Sequence, residues 1–152
     1  MKPQITELNA TRNTLVRYNV WGLDLSQSLH DTGGVSGLLR LTVHSGAAAG
    51  THYCAFAGTG KVTPLANATT GTETARYEFG PFGEPIRVSG AAARQNPFRF
   101  STKRTDNTTD LVLYEYRAYS PSLGRWLSRD PIGEGSRVNL YVFVGNVPNR
   151  EG

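Results

Sequence analysis

Two short stretches offset by 23 residues constrain this chain more than any other feature. Tyr53-Cys-Ala-Phe56-Ala-Gly-Thr-Gly60-Lys-Val62 lies against Tyr77-Glu-Phe79-Gly-Pro-Phe-Gly83-Glu-Pro-Ile86, with Phe56 matching Phe79 and Gly60 matching Gly83, each pair 23 apart. Each copy joins an aromatic strand to a return strand through a glycine-containing turn, which describes a β-hairpin. Tyr116-Arg-Ala-Tyr119-Ser-Pro-Ser-Leu-Gly124-Arg125-Trp126 is a partial third copy. A lone hairpin cannot bury its apolar face, so hairpins that recur along a chain are expected to stack on one another into a sheet or shell.

Extended patterns dominate the remaining segments as well. Thr14–Leu25 and Val35–His44 are rich in β-branched, aromatic and leucine residues, and Asp31-Thr-Gly-Gly34 separates them. Gly46–Gly50 reads as a loop, since two glycines in five residues oppose a helix. Residues 105–110, TDNTTD, read as a polar turn between strands. Seventeen glycines and eight prolines in 152 residues favour many turns over long helices. The expected fold is therefore mainly β, an antiparallel hairpin meander, with at most one short helix or turn near Asp130–Gly135. Aromatic residues gather from Tyr77 onward, so packing potential concentrates in the second half.

Several function classes find little support. The formal net charge of +4 is spread over isolated Lys and Arg, with Lys103-Arg104 the only adjacent pair, so no stripe for nucleic acid forms. No apolar run reaches the length of a spanning helix, and Met1-Lys2-Pro3 leads into polar sequence rather than an export signal. Cys54 is the single cysteine, and His30, His44 and His52 lack metal-ligand spacing, so neither a metal nor a cofactor is expected. Ala57-Gly-Thr-Gly-Lys61-Val62 fails as a phosphate loop because Ala55 and Val62 stand where glycine and Ser/Thr are needed. His52 and Cys54 share a strand face but have no third group to orient them. Asn9, Asn67 and Asn107 begin Asn-x-Thr triplets of the kind that short polar loops produce by chance.

Two further stretches carry a family resemblance. Leu113–Asn146, LYEYRAYSPSLGRWLSRDPIGEGSRVNLYVFVGN, runs from aromatic strand through Ser-Pro-Ser-Leu-Gly turn to a second aromatic strand at Asn139–Val144, and Asn96–Lys103 reads NPFRFSTK. Both resemble the RHS repeat-associated core of the YD-repeat polymorphic toxins and cell-surface proteins. The residues that carry the motif are Tyr77, Gly83, Pro97, Phe98, Tyr114, Tyr119, Gly124, Arg125, Trp126, Pro131, Gly133, Asn139, Tyr141 and Asn146. On this reading 1–50 loosely matches upstream YD-repeat strands, with a mobile N-terminus; 51–146 is the core; 147–152 is a truncated tail. The repeats are degenerate, because the Asp that follows the aromatic residue in a clean copy is replaced by Ala57, Gly80 and Ser120.

The resemblance implies a structural end piece of a β-shell that encloses and delivers a C-terminal toxin effector in secretion or interbacterial competition, inert by itself. Its implied partners are the rest of the shell and the effector, with self-association through exposed strand edges as a further expectation. Full-length relatives are secreted or cell-surface proteins. The alternative is an aspartyl autoprotease, in which Asp130 is one of two acids and Arg129 its electrostatic partner, because paired carboxylates divide acid and base roles. The later Asp-Pro-x-Gly element of that chemistry does not follow Asn146, where Val147-Pro-Asn-Arg-Glu151-Gly152 stands. Asp130-Pro131 also suits a turn or helix start, through backbone hydrogen bonds to Asp and the preset torsion of Pro. A surface module for adhesion or sugar binding is a third reading, resting on fold analogy.

Overall fold

A computed structural model of the chain describes residues 5–27, 35–129 and 141. Eleven strands form among them: β1 (Ile5–Leu8), β2 (Leu15–Trp21), β3 (Leu38–Val43), β4 (Gly50–Phe56), β5 (Val62–Asn67), β6 (Glu73–Phe79), β7 (Pro85–Ser89), β8 (Arg104–Thr105), β9 (Val112–Leu113), β10 (Ala118–Ser120) and β11 (Arg125–Trp126). The first seven make one antiparallel sheet in sequence order, and the last four make a second, ordered β11-β10-β9-β8. The mainly β expectation holds. The described residues contain no α-helix; their one helical turn lies at Phe100–Thr102, and 130–135 falls outside the described residues.

All three copies of the repeat are hairpins, β4–β5, β6–β7 and β10–β11. Their turns are built alike. Gly60 N donates to Ala57 O at 2.9 Å, Gly83 N to Gly80 O at 3.0 Å, and Gly124 N to Pro121 O at 3.2 Å. Each of these glycines is left-handed, with φ of +77°, +82° and +62°, a conformation that costs other residues roughly 1–2 kcal/mol. The third copy differs from its sequence reading at the start. Tyr114 and Tyr116 do not join the strand: Tyr114 N donates to Arg117 O, closing a bend whose tip leaves Tyr116 86% exposed, and β10 begins only at Ala118.

Alternation sorts each strand of the large sheet into an inner and an outer face. Asn19 pairs with Leu41 and Leu41 with His52, so the three share the inner face. Leu41, Val43, Leu65, Ala75 and Tyr77 are buried there. Their cover is the segment after β7, which places Ala92 and Ala93 in the same cluster and Phe98 against Trp21 and Leu38. Phe100 from the helical turn and Val112, Tyr119 and Trp126 from the small sheet form a second cluster, against which Phe79 packs. Phe79 also packs on the first cluster, so it joins the two sheets.

Candidate functional site

The junction between the sheets, Asn96–Lys103, contains Pro97 and Phe98 and is touched by Tyr77, Gly83 and Tyr119. Asn96 begins it with a pair of side-chain bonds to the backbone of Phe98: Phe98 N donates to Asn96 Oδ1 at 3.0 Å, and Asn96 Nδ2 donates to Phe98 O at 2.7 Å. This local ring fixes Pro97, whose buried carbonyl accepts from Thr105 N at 2.7 Å. It also directs Phe98 edge-on to Trp21, 4.9 Å between centroids. The chain then turns at Ser101 and Thr102, both left-handed at φ +50° and +52°. A β-branched residue rarely adopts that backbone. Thr102 is held in it by its hydroxyl, which donates to Gly60 O and accepts from Ser36 N, both at 2.8 Å. The glycine turn of the first repeat is thus fastened to the junction.

Arg99 is buried at the centre of this junction. Its guanidinium donates to Asn96 O at 2.9 Å, to Ala93 O at 3.2 Å and to Asn107 Oδ1, and lies 5.7 Å from the centre of the Tyr77 ring. Burial lowers its pKa, against the opposing pull of Tyr77 and Asp110. Tyr77 donates its hydroxyl to Ala93 O at 2.7 Å, and burial pushes that phenol up to about 12. Gly83 faces the same junction: a Cβ there would stand 2.7 Å from three atoms of the Phe100 ring. Phe100 is stacked at 6.3 Å on Tyr119, which is fully buried and donates to Phe82 O at 2.7 Å. Burial raises the Tyr119 pKa, and likewise that of Tyr114.

Tyr114 meets Trp126 edge-on at 4.9 Å, and the Arg117 guanidinium lies 4.0 Å from the centre of the same indole. Gly124 sits under Phe82, with the nearest ring atom 3.1 Å from where its Cβ would be. Arg125 lies over the Tyr141 ring at 5.5 Å, and Trp126 N donates to Tyr141 O at 3.0 Å. Arg129 is exposed at the end of the described segment. Its proposed partner Asp130, and the motif residues Pro131, Gly133, Asn139 and Asn146, lie outside the described residues.

Cys54 is driven up to about 12 by burial, which keeps it a thiol. His52 is committed to structure, with Nε2 at 2.9 Å from Ala48 O and Nδ1 at 2.8 Å from Thr74 Oγ1. No group of three or more His, Cys, Asp or Glu that could hold a metal occurs among the described residues. No helix among them is long and apolar enough to cross a membrane.

Sequence reasoning missed a second recurrent device. Asn9 Oδ1 accepts from Thr11 N and Arg12 N, Asn67 Oδ1 from Thr69 N and Thr70 N, and Asp106 Oδ1 from Thr108 N and Thr109 N, all between 2.8 and 3.0 Å. Four residues after each stands a left-handed residue, Asn13, Gly71 or Asp110, whose N–H returns to the carbonyl of the first. These are three copies of one side-chain-capped hairpin turn. The Asn-Ala-Thr triplets at 9 and 67, which read as chance sequons, were its signal.

No protein-family model matches the chain. Toxin subunit YenC2 of Yersinia entomophaga is 48% identical over 52 residues, covering 34% of this chain and 5% of its own length. Salivary gland surface protein 1 of Aedes aegypti is 32% identical over 79 residues, covering 51% of this chain and 2% of its own. Among solved structures, the crystal structure of TcdB2-TccC3-TEV superposes with a TM-score of 0.69 at 24% identity, over 94% of this chain and 7% of that one. The chain is related to RHS-type toxins. Its antiparallel sheets match the fold of RHS shell neighbours. It spans only a few per cent of the length of these relatives.

Proposed function

We propose that the chain is a wall segment of an RHS-type shell that encloses a toxin effector, with the Asn96–Lys103 junction fixing the angle between two panels of that wall. The observation that carries this reading is that successive copies of the repeat lie as adjacent hairpins in one sheet, β4–β5 beside β6–β7, with β5 hydrogen-bonded to β6. A wall grows by such lateral addition. Likeness to toxin subunit YenC2 supports the setting. Replacing the matching 52-residue stretch of YenC2 by that of this chain tests it. The chimera is expected to keep its C-terminal region as resistant to protease as the parent does. Loss of that resistance in a chimera that remains soluble and folded would overturn the reading.

The alternative, autoproteolysis through Asp130 with Arg129, separates cleanly in a fusion of this chain to a C-terminal reporter. An intact fusion by mass spectrometry is the expected result. Release of the reporter that is abolished by Asp130→Asn would instead establish the protease.

A further inference from the structure

We infer that a single ordered water, held by the Thr105 hydroxyl together with Arg99 and Asp110, is built into the seam between the two sheets. A cavity of about 10 Å³ lies in that seam, with Phe79 and Val88 on the large-sheet side and Thr105 and Val112 on the small-sheet side. That is the least space in which one water molecule fits, and far too little for an organic ligand. Arg99 and Asp110 also line it.

Size alone does not hydrate a cavity, and one with only apolar walls stays dry. The walls of this one carry a buried polar atom without a partner. Thr105 Oγ1 makes no hydrogen bond among the described residues. The backbone leaves it little freedom to find one: Thr105 N donates to Pro97 O at 2.7 Å, and the residue is buried opposite Val112 in the small sheet. An unpaired hydroxyl in an interior is destabilising, and water satisfies such groups where no protein atom reaches them.

A buried water needs further polar partners, and the two charged residues supply them. The hydroxyl can donate and accept, the guanidinium donates, and the carboxylate accepts. Asp110 is set beside the cavity by the turn it closes, its N–H returning to Asp106 O at 2.9 Å. Asp110 pulls on the charge of Arg99, yet the hydrogen bonds of that guanidinium go to Asn96, Ala93 and Asn107 instead. A bridging water suits two opposite charges that attract without meeting. An anion would be repelled by Asp110 and a cation by Arg99, whereas a neutral dipole serves both. The two sheets are then joined at this point through water, beside the dry contact of Phe79 with Phe100. The inference concerns the junction alone and stands whether or not the chain forms a shell wall.

The test uses the full chain in solution. Oxygen-17 relaxation dispersion counts long-lived internal waters and is blind to hydroxyl protons. Thr105→Val keeps the shape of the side chain and removes its hydroxyl; it is expected to lose one such water and to lower Tm by a few degrees. Thr105→Ser, which retains the hydroxyl, is expected to keep the water. A dry cavity would behave in the opposite way, because removing an unsatisfied hydroxyl relieves a penalty and raises Tm. An unchanged water count in Thr105→Val, or a higher Tm for that variant, would therefore overturn the inference. In the unmodified chain, negative cross-relaxation between water and the Val88 and Val112 methyl groups is expected; its absence would refute the site even if neither variant folds.

Discussion

Gly83→Ala isolates the grip of the second repeat on the junction. Two costs add at this position. The left-handed backbone, φ +82°, charges an alanine roughly 1–2 kcal/mol. The new Cβ would then lie 2.7 Å from three atoms of the Phe100 ring, and Phe100 is only 3% exposed, held between Phe79 at 5.9 Å and Tyr119 at 6.3 Å. Forcing a methyl against a ring that cannot withdraw costs about 1–3 kcal/mol more. The expected total is about 2–5 kcal/mol, a large part of the stability of a small domain. Gly71→Ala supplies the control, for φ is +71° there but nothing lies within 4 Å of the added atom, leaving only the backbone cost of about 1–2 kcal/mol. Urea unfolding followed by tryptophan fluorescence measures both, since Trp21 lies in the large sheet and Trp126 in the small one. Equal losses in the two variants would refute the packing argument.

Tyr77→Phe is expected to cost about 1 kcal/mol in the same assay, because the Ala93 carbonyl that loses its phenol keeps the Arg99 donor; a neutral result would show that Arg99 alone satisfies that carbonyl. Asn67→Ala is expected to lose about 1 kcal/mol, while Asn67→Asp keeps the cap, as Asp106 does in the sister turn. Backbone bonds from Thr109 and Thr108 hold the Asp106 carboxylate below its ordinary pKa. A depressed folded-state pKa gives stability that is present above the unfolded value and lost as pH falls through the folded one. The Asp106 carbon resonance should therefore titrate below the usual carboxylate range, and a normal midpoint would contradict the capped turn. Cys54, a half-buried thiol whose pKa desolvation raises, should react more slowly with iodoacetamide at pH 8 in the native chain than once it is unfolded in urea; equal rates would contradict that shift.

The hairpins were legible because their signals are local. Gly60, Gly83 and Gly124 each announce a left-handed turn within a few residues of the strands they join. The Asn96–Lys103 stretch was legible as a motif, but its role was not. That Arg99 would be buried under Tyr77, or that Thr102 would fasten to Gly60 forty-two residues earlier, depends on the way two sheets meet. The Glu7–Arg104 ion pair spans 97 residues and leaves no trace in either neighbourhood. Tyr116 misled for the opposite reason: an aromatic in an alternating run reads as a strand position, yet the backbone had already turned at Tyr114. The Asn9, Asn67 and Asp106 turns recur without the even step of the hairpins, so a search for a constant period passes over them.

The order in which the inner face and its cover occur along the chain has a consequence for synthesis. Every strand of the large sheet pairs with a sequence neighbour, so each hairpin can close as soon as it clears the ribosome. The cover, Ala92 to Phe98, is made only after β7. At about 5–20 residues per second, the apolar inner face of β2 to β6 waits on the order of seconds before anything can shield it. That interval, rather than the finished fold, is when this chain is most exposed to chaperones and to aggregation.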